Sequence, residues 1–239
     1  MKQIQTENTL AYDWSIFFDL TAPIISLSLI LFGSVSCSSN KTENTVATGN
    51  EKKVESDLRL TSKKEGKVKF KETGGSTYFT LKFYDDGLKM LDKKENEIAR
   101  ITKKEDKYKI KDANDQVLGY VTGKKTKFKI KNSSQESTLF IFQRQQDGDW
   151  KLEAEDSGEQ LLCKIGKRDY GWKIESGSET ELGKVKHENG RISIRGSNGN
   201  TLFYTNDSFS GIAVVPFLLQ QLNKPQQAAL CAALNLGSN

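Results

Sequence analysis

Seven times between residues 68 and 194 the chain opens a short segment with two apolar residues flanking one polar residue, which is lysine in six cases. The openings are Val68-Lys-Phe70, Leu88-Lys-Met90, Tyr108-Lys-Ile110, Phe128-Lys-Ile130, Trp150-Lys-Leu152, Trp172-Lys-Ile174 and Ile192-Ser-Ile194. They stand 20, 20, 20, 22, 22 and 20 residues apart. A second apolar segment follows each opening after ten to twelve residues, starting at Tyr78, Ile98, Leu118, Leu139, Leu162, Leu182 and Leu202. Turn-forming residues separate the two, as in Asp112-Ala-Asn114-Asp115, Asp156-Ser-Gly158 and Gly196-Ser-Asn198-Gly199. Within the segments apolar and charged residues alternate, as in Trp150-Lys-Leu-Glu-Ala154. That period of two marks a sheet with one buried face. Seven hairpins supply up to 14 strands, more than an open sheet carries without curling or closing. The expected fold is a closed antiparallel barrel, with a β-solenoid or open single-layer sheet as the alternative.

The rhythm stops after Asp207. Gly211-Ile-Ala-Val-Val-Pro-Phe-Leu-Leu219 leads to Lys224-Pro-Gln-Gln-Ala-Ala-Leu-Cys-Ala-Ala-Leu-Asn-Leu236-Gly237. Here Asn223 is placed to cap a helix, Pro225 falls in its first turn, and Gly237 suits the position just past its end. From Ala228 to Leu234 every side chain is apolar. A helix with no polar face is buried on all sides or lies in a membrane, and about ten residues are too few to span one. The lumen of the barrel answers that need.

Together these patterns resemble the tubby C-terminal fold shared with phospholipid scramblases and LURP-one-related proteins. The residues that carry the resemblance are Leu118-Gly-Tyr-Val121 and Leu182-Gly-Lys-Val185, with weaker versions at Ile98-Ala-Arg-Ile101 and Leu162-Cys-Lys-Ile165, and the helix Ala228–Leu234. The resemblance covers residues 65–237. It implies a barrel of about 12 strands around a hydrophobic C-terminal helix, with the first unit, through Phe83, as an extension outside it. It also implies association with membrane lipid. No family headgroup-binding residue maps onto this sequence.

The longest apolar run, Ala22 to Val35, leads into Ser36-Cys37-Ser-Ser-Asn40. It is short for a membrane span, which needs about 20 residues, and suits the core of a signal peptide. The run followed by one cysteine and a serine-rich stretch resembles a bacterial lipoprotein signal. That resemblance implies cleavage after residue 36 and acylation of Cys37, which would place the protein in the cell envelope on the extracytoplasmic side of a bacterial membrane. An uncleaved signal anchor is the alternative. Residues 37–57 hold almost no large apolar side chains and read as a flexible tether. Residues 58–239 form the folded domain. Loss of residues 1–36 removes Lys2, Glu7, Asp13 and Asp19, so the net charge of +5 rises to +7.

That charge directs the search for a site. The run Lys124-Lys-Thr-Lys-Phe-Lys-Ile-Lys131 is the densest cationic segment, and an extended strand places Lys125, Lys127, Lys129 and Lys131 on one face opposite Phe128 and Ile130. Such a face suits anionic lipid headgroups, at about 1 kcal/mol per lysine near an anionic leaflet. A solvated strand face that discourages edge pairing is the simpler reading. Nucleic acid is an unsuitable partner for an extracytoplasmic protein. Three cysteines and one histidine do not build a four-ligand zinc site unless all converge, and no metal or cofactor is expected. Gly119 to Thr126 fails as a phosphate loop because its glycines are too close and a strand follows. His187 is placed in a surface turn, and no serine stands in a Gly-x-Ser-x-Gly elbow. Cys163, sharing an inward face with Leu161 and Ile165, and Cys231 read as buried residues, or as a barrel-to-helix disulfide. No catalytic residue emerges. The expected function is a membrane-tethered, non-enzymatic barrel that binds or senses lipid or another envelope component. The alternative is an assembly lipoprotein that holds a protein partner on its outer strand faces.

Overall fold

The structure is a computed structural model that describes residues 66–155, 158 and 160–237. The leader, the tether and Cys37 lie outside the described residues. The first strands are β1 (Gly66–Lys71), β2 (Thr77–Tyr84), β3 (Gly87–Leu91), β4 (Glu97–Lys104) and β5 (Lys107–Lys111). Next come β6 (Val117–Lys124), β7 (Lys127–Lys131), β8 (Thr138–Arg144), β9 (Trp150–Ala154) and β10 (Gln160–Arg168). The last are β11 (Gly171–Ser176), β12 (Glu181–Glu188), β13 (Arg191–Gly196) and β14 (Thr201–Thr205). Each pairs antiparallel with its chain neighbours, and β14 returns to β1 to close a barrel.

The described barrel therefore has 14 strands, not about 12, and the first unit is part of it. β1 pairs with both β2 and β14. The reason is that the first hairpin alternates like the other six. Val68, Phe70, Phe79, Leu81 and Phe83 point inward and are buried, and an extension outside the barrel would leave them in water.

The turns at the two ends of the barrel differ. At one end, Gly75, Glu95, Asp115, Gln135, Gly158, Glu179 and Gly199 repeat one left-handed turn position. Each donates its N–H to the carbonyl three residues back, as Glu95 does to Asp92 (3.1 Å) and Asp115 to Asp112 (3.2 Å). The Asp92 and Asp112 carboxylates accept two further backbone N–H groups each, the chemistry that favours Asp and Asn in turns. At the other end most connections are two residues long, such as Asn189-Gly190, where both φ values are positive.

A bulge follows the long turn in every hairpin. In each, one residue of the second strand is left without a partner: Tyr78, Ile98, Leu118, Leu139, Leu162, Leu182 and Leu202. A collar of seven large apolar side chains thus circles the long-turn end, four of them half-buried and Tyr78, Leu118 and Leu202 exposed. The bulge in β10 corrects one expectation. Leu161 pairs with outward-facing Glu153 and does not share the inward face of Cys163 and Ile165.

The C-terminal segment enters from the short-turn end. α1 (Gly211–Val214) begins beside Trp172, and a 3₁₀ turn (Val215–Leu218) reaches Gly183 at the long-turn end. The chain reverses over residues 219–223, and α2 (Lys224–Leu236) runs back along β3–β7. Its last carbonyls lie near Tyr108 and Lys103, whose Nζ donates to Leu236 O at 3.0 Å. Inward strand residues and the C-terminal segment form one apolar core. Asn223 caps α2 in a reciprocal pair with Gln226. α2 is short, at 13 residues, and its buried set includes Gln227 and Asn235 as well as apolar residues. Gln227 is held by the reversal, donating to Leu219 O (3.0 Å) and Leu222 O (3.1 Å). Gly237 stands just past the helix end, as expected, in a right-handed conformation (φ −91°). Its glycine is required by space, since a Cβ there would lie 2.5 Å from Ala233 O.

Candidate functional site

The lysine run divides in the structure. Lys127, Lys129 and Lys131 share the outward face of β7, while Phe128 and Ile130 point inward and are buried. Lys125 does not join them. It occupies the two-residue turn between β6 and β7 with φ 56°, because a tight hairpin needs a left-handed residue there.

The barrel supplies three lysines that the sequence reading missed. β5 presents Lys107, Lys109 and Lys111 outward, with Tyr108 and Ile110 inward. Between β5 and β7 lies β6, whose outward Tyr120 pairs with Lys109 on one side and Lys131 on the other. Adjacent strands lie about 4.8 Å apart, so Lys109 and Lys131 flank Tyr120 across roughly 10 Å. Lys107 and Lys109 place their ammonium groups 5.1 and 6.0 Å from the Tyr120 ring centre. The lysine stems cover Tyr120, which is 6% exposed. One signal was present: Lys107-Tyr-Lys-Ile-Lys111 repeats as Lys127-Phe-Lys-Ile-Lys131 twenty residues on. Its meaning depended on knowing that only one strand separates the copies.

Charge is concentrated here. Residues 97–131 hold eleven Lys or Arg against five Asp or Glu, while the rest of 66–237 holds eighteen of each sign. The net charge of the barrel thus lies on β4–β7. Elsewhere the exterior is laced with ion pairs, such as Lys151–Glu153 (2.6 Å), Lys173–Glu175 (2.7 Å) and Lys184–Glu181 (3.1 Å) within strands and Arg195–Glu188 (3.7 Å) between β13 and β12. Of the six lysines on β5 and β7, those paired to a carboxylate among the described residues are Lys111 with Asp115 and Lys129 with Glu155, both at 3.4 Å. Lysine directly faces lysine at Lys104–Lys107 and Lys124–Lys127.

His187 lies near the end of β12, not in a turn, and is exposed. Among the described residues no three His, Cys, Asp or Glu side chains converge on a point that would hold a metal ion. Cys163 and Cys231 are buried free thiols, with Cys163 Sγ 3.6 Å from Gln221 Oε1. Trp150 is buried and stacks on Phe142 with centroids 4.9 Å apart. Among the described residues no helix is long and apolar enough to cross a membrane. Comparisons of the chain with protein-family models, with characterised proteins and with solved structures find no match.

Proposed function

We propose that this chain is a membrane-tethered, non-enzymatic binding module whose β5–β7 lysine face engages anionic lipid headgroups. The carrying observation is that β5 and β7 set two rows of three outward lysines on either side of Tyr120, within the segment 97–131 that holds the barrel's excess of positive charge. Directly opposed like charges are destabilising in a sheet, and this face keeps Lys104 against Lys107 and Lys124 against Lys127, the second pair eased by Asp106, which lies 3.2 Å from Lys124. The filled lumen supports the non-enzymatic reading by leaving recognition to the exterior. In this reading the C-terminal hairpin, with α2 as its longer arm, is the internal pillar around which the hairpin repeats are arranged, as in the tubby and scramblase likeness. Cys37 carries the anchor. Gly66 stands at the short-turn end, as do Lys104, Lys107, Lys124 and Lys127. An envelope protein as partner is the second reading, favoured by exposed Tyr78, Leu118 and Leu202 on the opposite rim.

Vesicle flotation of the full chain tests the proposal. The wild type is expected to prefer vesicles containing phosphatidylglycerol over neutral ones at low salt, with the preference fading as salt screens the lysines. The variant K107Q/K109Q/K127Q/K131Q should lose at least about tenfold in that preference, given about 1 kcal/mol per lysine. Equal flotation with both vesicle types by the Cys37→Ala chain, which has no acyl anchor to carry it onto neutral vesicles, would sink the lipid reading. The anchor reading fails separately if Cys37→Ala leaves acyl labelling unchanged.

A further inference from the structure

Six strands round the barrel from β6, by way of β1, the outer surface over β14 carries a concave feature of different chemistry. Two cavities, of about 560 and 230 Å³, meet at Asn206. The larger is walled by Arg191 and Arg195 of β13, and the smaller by Lys67, Lys69 and Lys71 of β1. Alternate residues of a strand stand about 7 Å apart, and β1 and β13 are separated by about 10 Å across β14. The groove therefore has cations on both walls and polar groups along its floor, with Asn189, Ser193 and Thr201 joining Asn206. The two carboxylates that line it are engaged. Glu188 lies 3.7 Å from Arg195 and 3.5 Å from Lys186, and Asp207 accepts the Lys69 backbone N–H at 2.9 Å.

The shape and partners select among polyanions. A planar bilayer does not enter a groove. Single-stranded nucleic acid relies on open aromatic faces for stacking, and here the Arg191 guanidinium lies 3.6 Å over the ring of Tyr204, the aromatic residue of β14's outward face. A peptide strand adding to the sheet needs free edge amides, and the Asp207 carboxylate already holds that of Lys69. An acidic polysaccharide has what the groove complements: a linear form, repeated anionic groups and many hydroxyls. We propose that the groove over β14 binds an anionic polysaccharide strand, its charged groups against Lys69, Lys71 and Arg195 and its hydroxyls against Asn206 and Thr201. The proposal rests on the groove alone and not on the anchor or the β5–β7 face.

The test titrates the full chain, at low ionic strength, with hexagalacturonate, with a glycerol phosphate hexamer and with methyl-esterified, uncharged hexagalacturonate. The expected result is saturable binding of hexagalacturonate and none of the ester; binding of the glycerol phosphate hexamer alone would overturn the polysaccharide assignment in favour of a polyol phosphate. K69Q/K71Q should weaken binding by at least about fivefold, as loss of two groove cations implies, while K109Q/K131Q leaves it unchanged. Independently of any variant, the Asn206 side-chain amide resonance should shift on titration of the wild type. Binding of neither charged oligomer, equal binding of the ester, equal weakening by the two variants or an unmoved Asn206 resonance would each overturn the proposal. Failure here with intact vesicle preference leaves the β5–β7 reading standing, and the converse holds too.

Discussion

Cys163 and Cys231 take their chemistry from burial. Burial pushes the Cys163 thiol up to about 11, against a smaller opposing effect of the Gln221 side chain, and burial likewise raises Cys231, with nothing opposing it. Both folded-state values lie above the ordinary 9.0, so the folded state holds protons that the unfolded chain releases first. The linked stability is fully present below pH 9 and is lost as pH rises toward the folded values. Native protein at pH 8 should therefore leave both thiols unmodified by iodoacetamide, and urea should expose both, as read by peptide mass. Rapid labelling of either in the native state would contradict the packing. Glycine acts at the same scale in the Leu-Gly-x-Val segments. A Cβ at Gly119 would lie 2.6 Å from Lys131 O, and one at Gly183 would lie 2.4 Å from Arg195 O. The motif was legible in the sequence, but its cause was not, because both carbonyls belong to neighbouring strands. The cationic site divides in the same way. Lys127, Lys129 and Lys131 were readable from alternation, whereas Lys125 was misplaced by one turn and Lys107, Lys109 and Lys111 needed the strand order.

At the scale of elements, the seven hairpins and the C-terminal helix were readable, because apolar periodicity and capping residues are local. The bulges were not. Each shifts the strand phase by one residue, and nothing in Leu161-Leu162-Cys163 shows which leucine steps out of register. The bulged residues form a collar where the C-terminal segment reverses, and that segment bears on stability. Leu230, Leu234 and Leu236 of α2 are buried, and each contributes about 1.5–3 kcal/mol by leaving water. Together they approach the whole stability of an ordinary domain, about 5–15 kcal/mol. Deletion of residues 225–239 should abolish cooperative urea unfolding and produce strong binding of a hydrophobic dye. A truncated chain that still unfolds in one sharp transition would show that the strands stand without α2.

For the whole molecule, the closure is where the barrel is weakest. β1 meets β14 in one register pair, Lys71 with Tyr204, while other neighbouring strands share four to six. Asp207 completes the seam by accepting the Lys69 N–H at 2.9 Å and lying 3.5 Å from the Thr205 hydroxyl. Asp207→Ala should cost about 1–2 kcal/mol, the loss of a charged hydrogen bond at an exposed site. Amide exchange should accelerate in β1 and β14 before other strands. Uniform acceleration around the barrel would argue that the seam is no weaker than the rest. Taken alone, the sequence determined the strands, their inward faces away from the bulges, the long turns and the helix cap, since each depends on residues within one or two turns of one another. Only the tertiary structure decided that 14 strands close, that the first hairpin belongs to the ring, and that β5 and β7 bring two lysine rows to either side of Tyr120. Closure joins residues more than 130 positions apart, and no local preference records which distant edges meet.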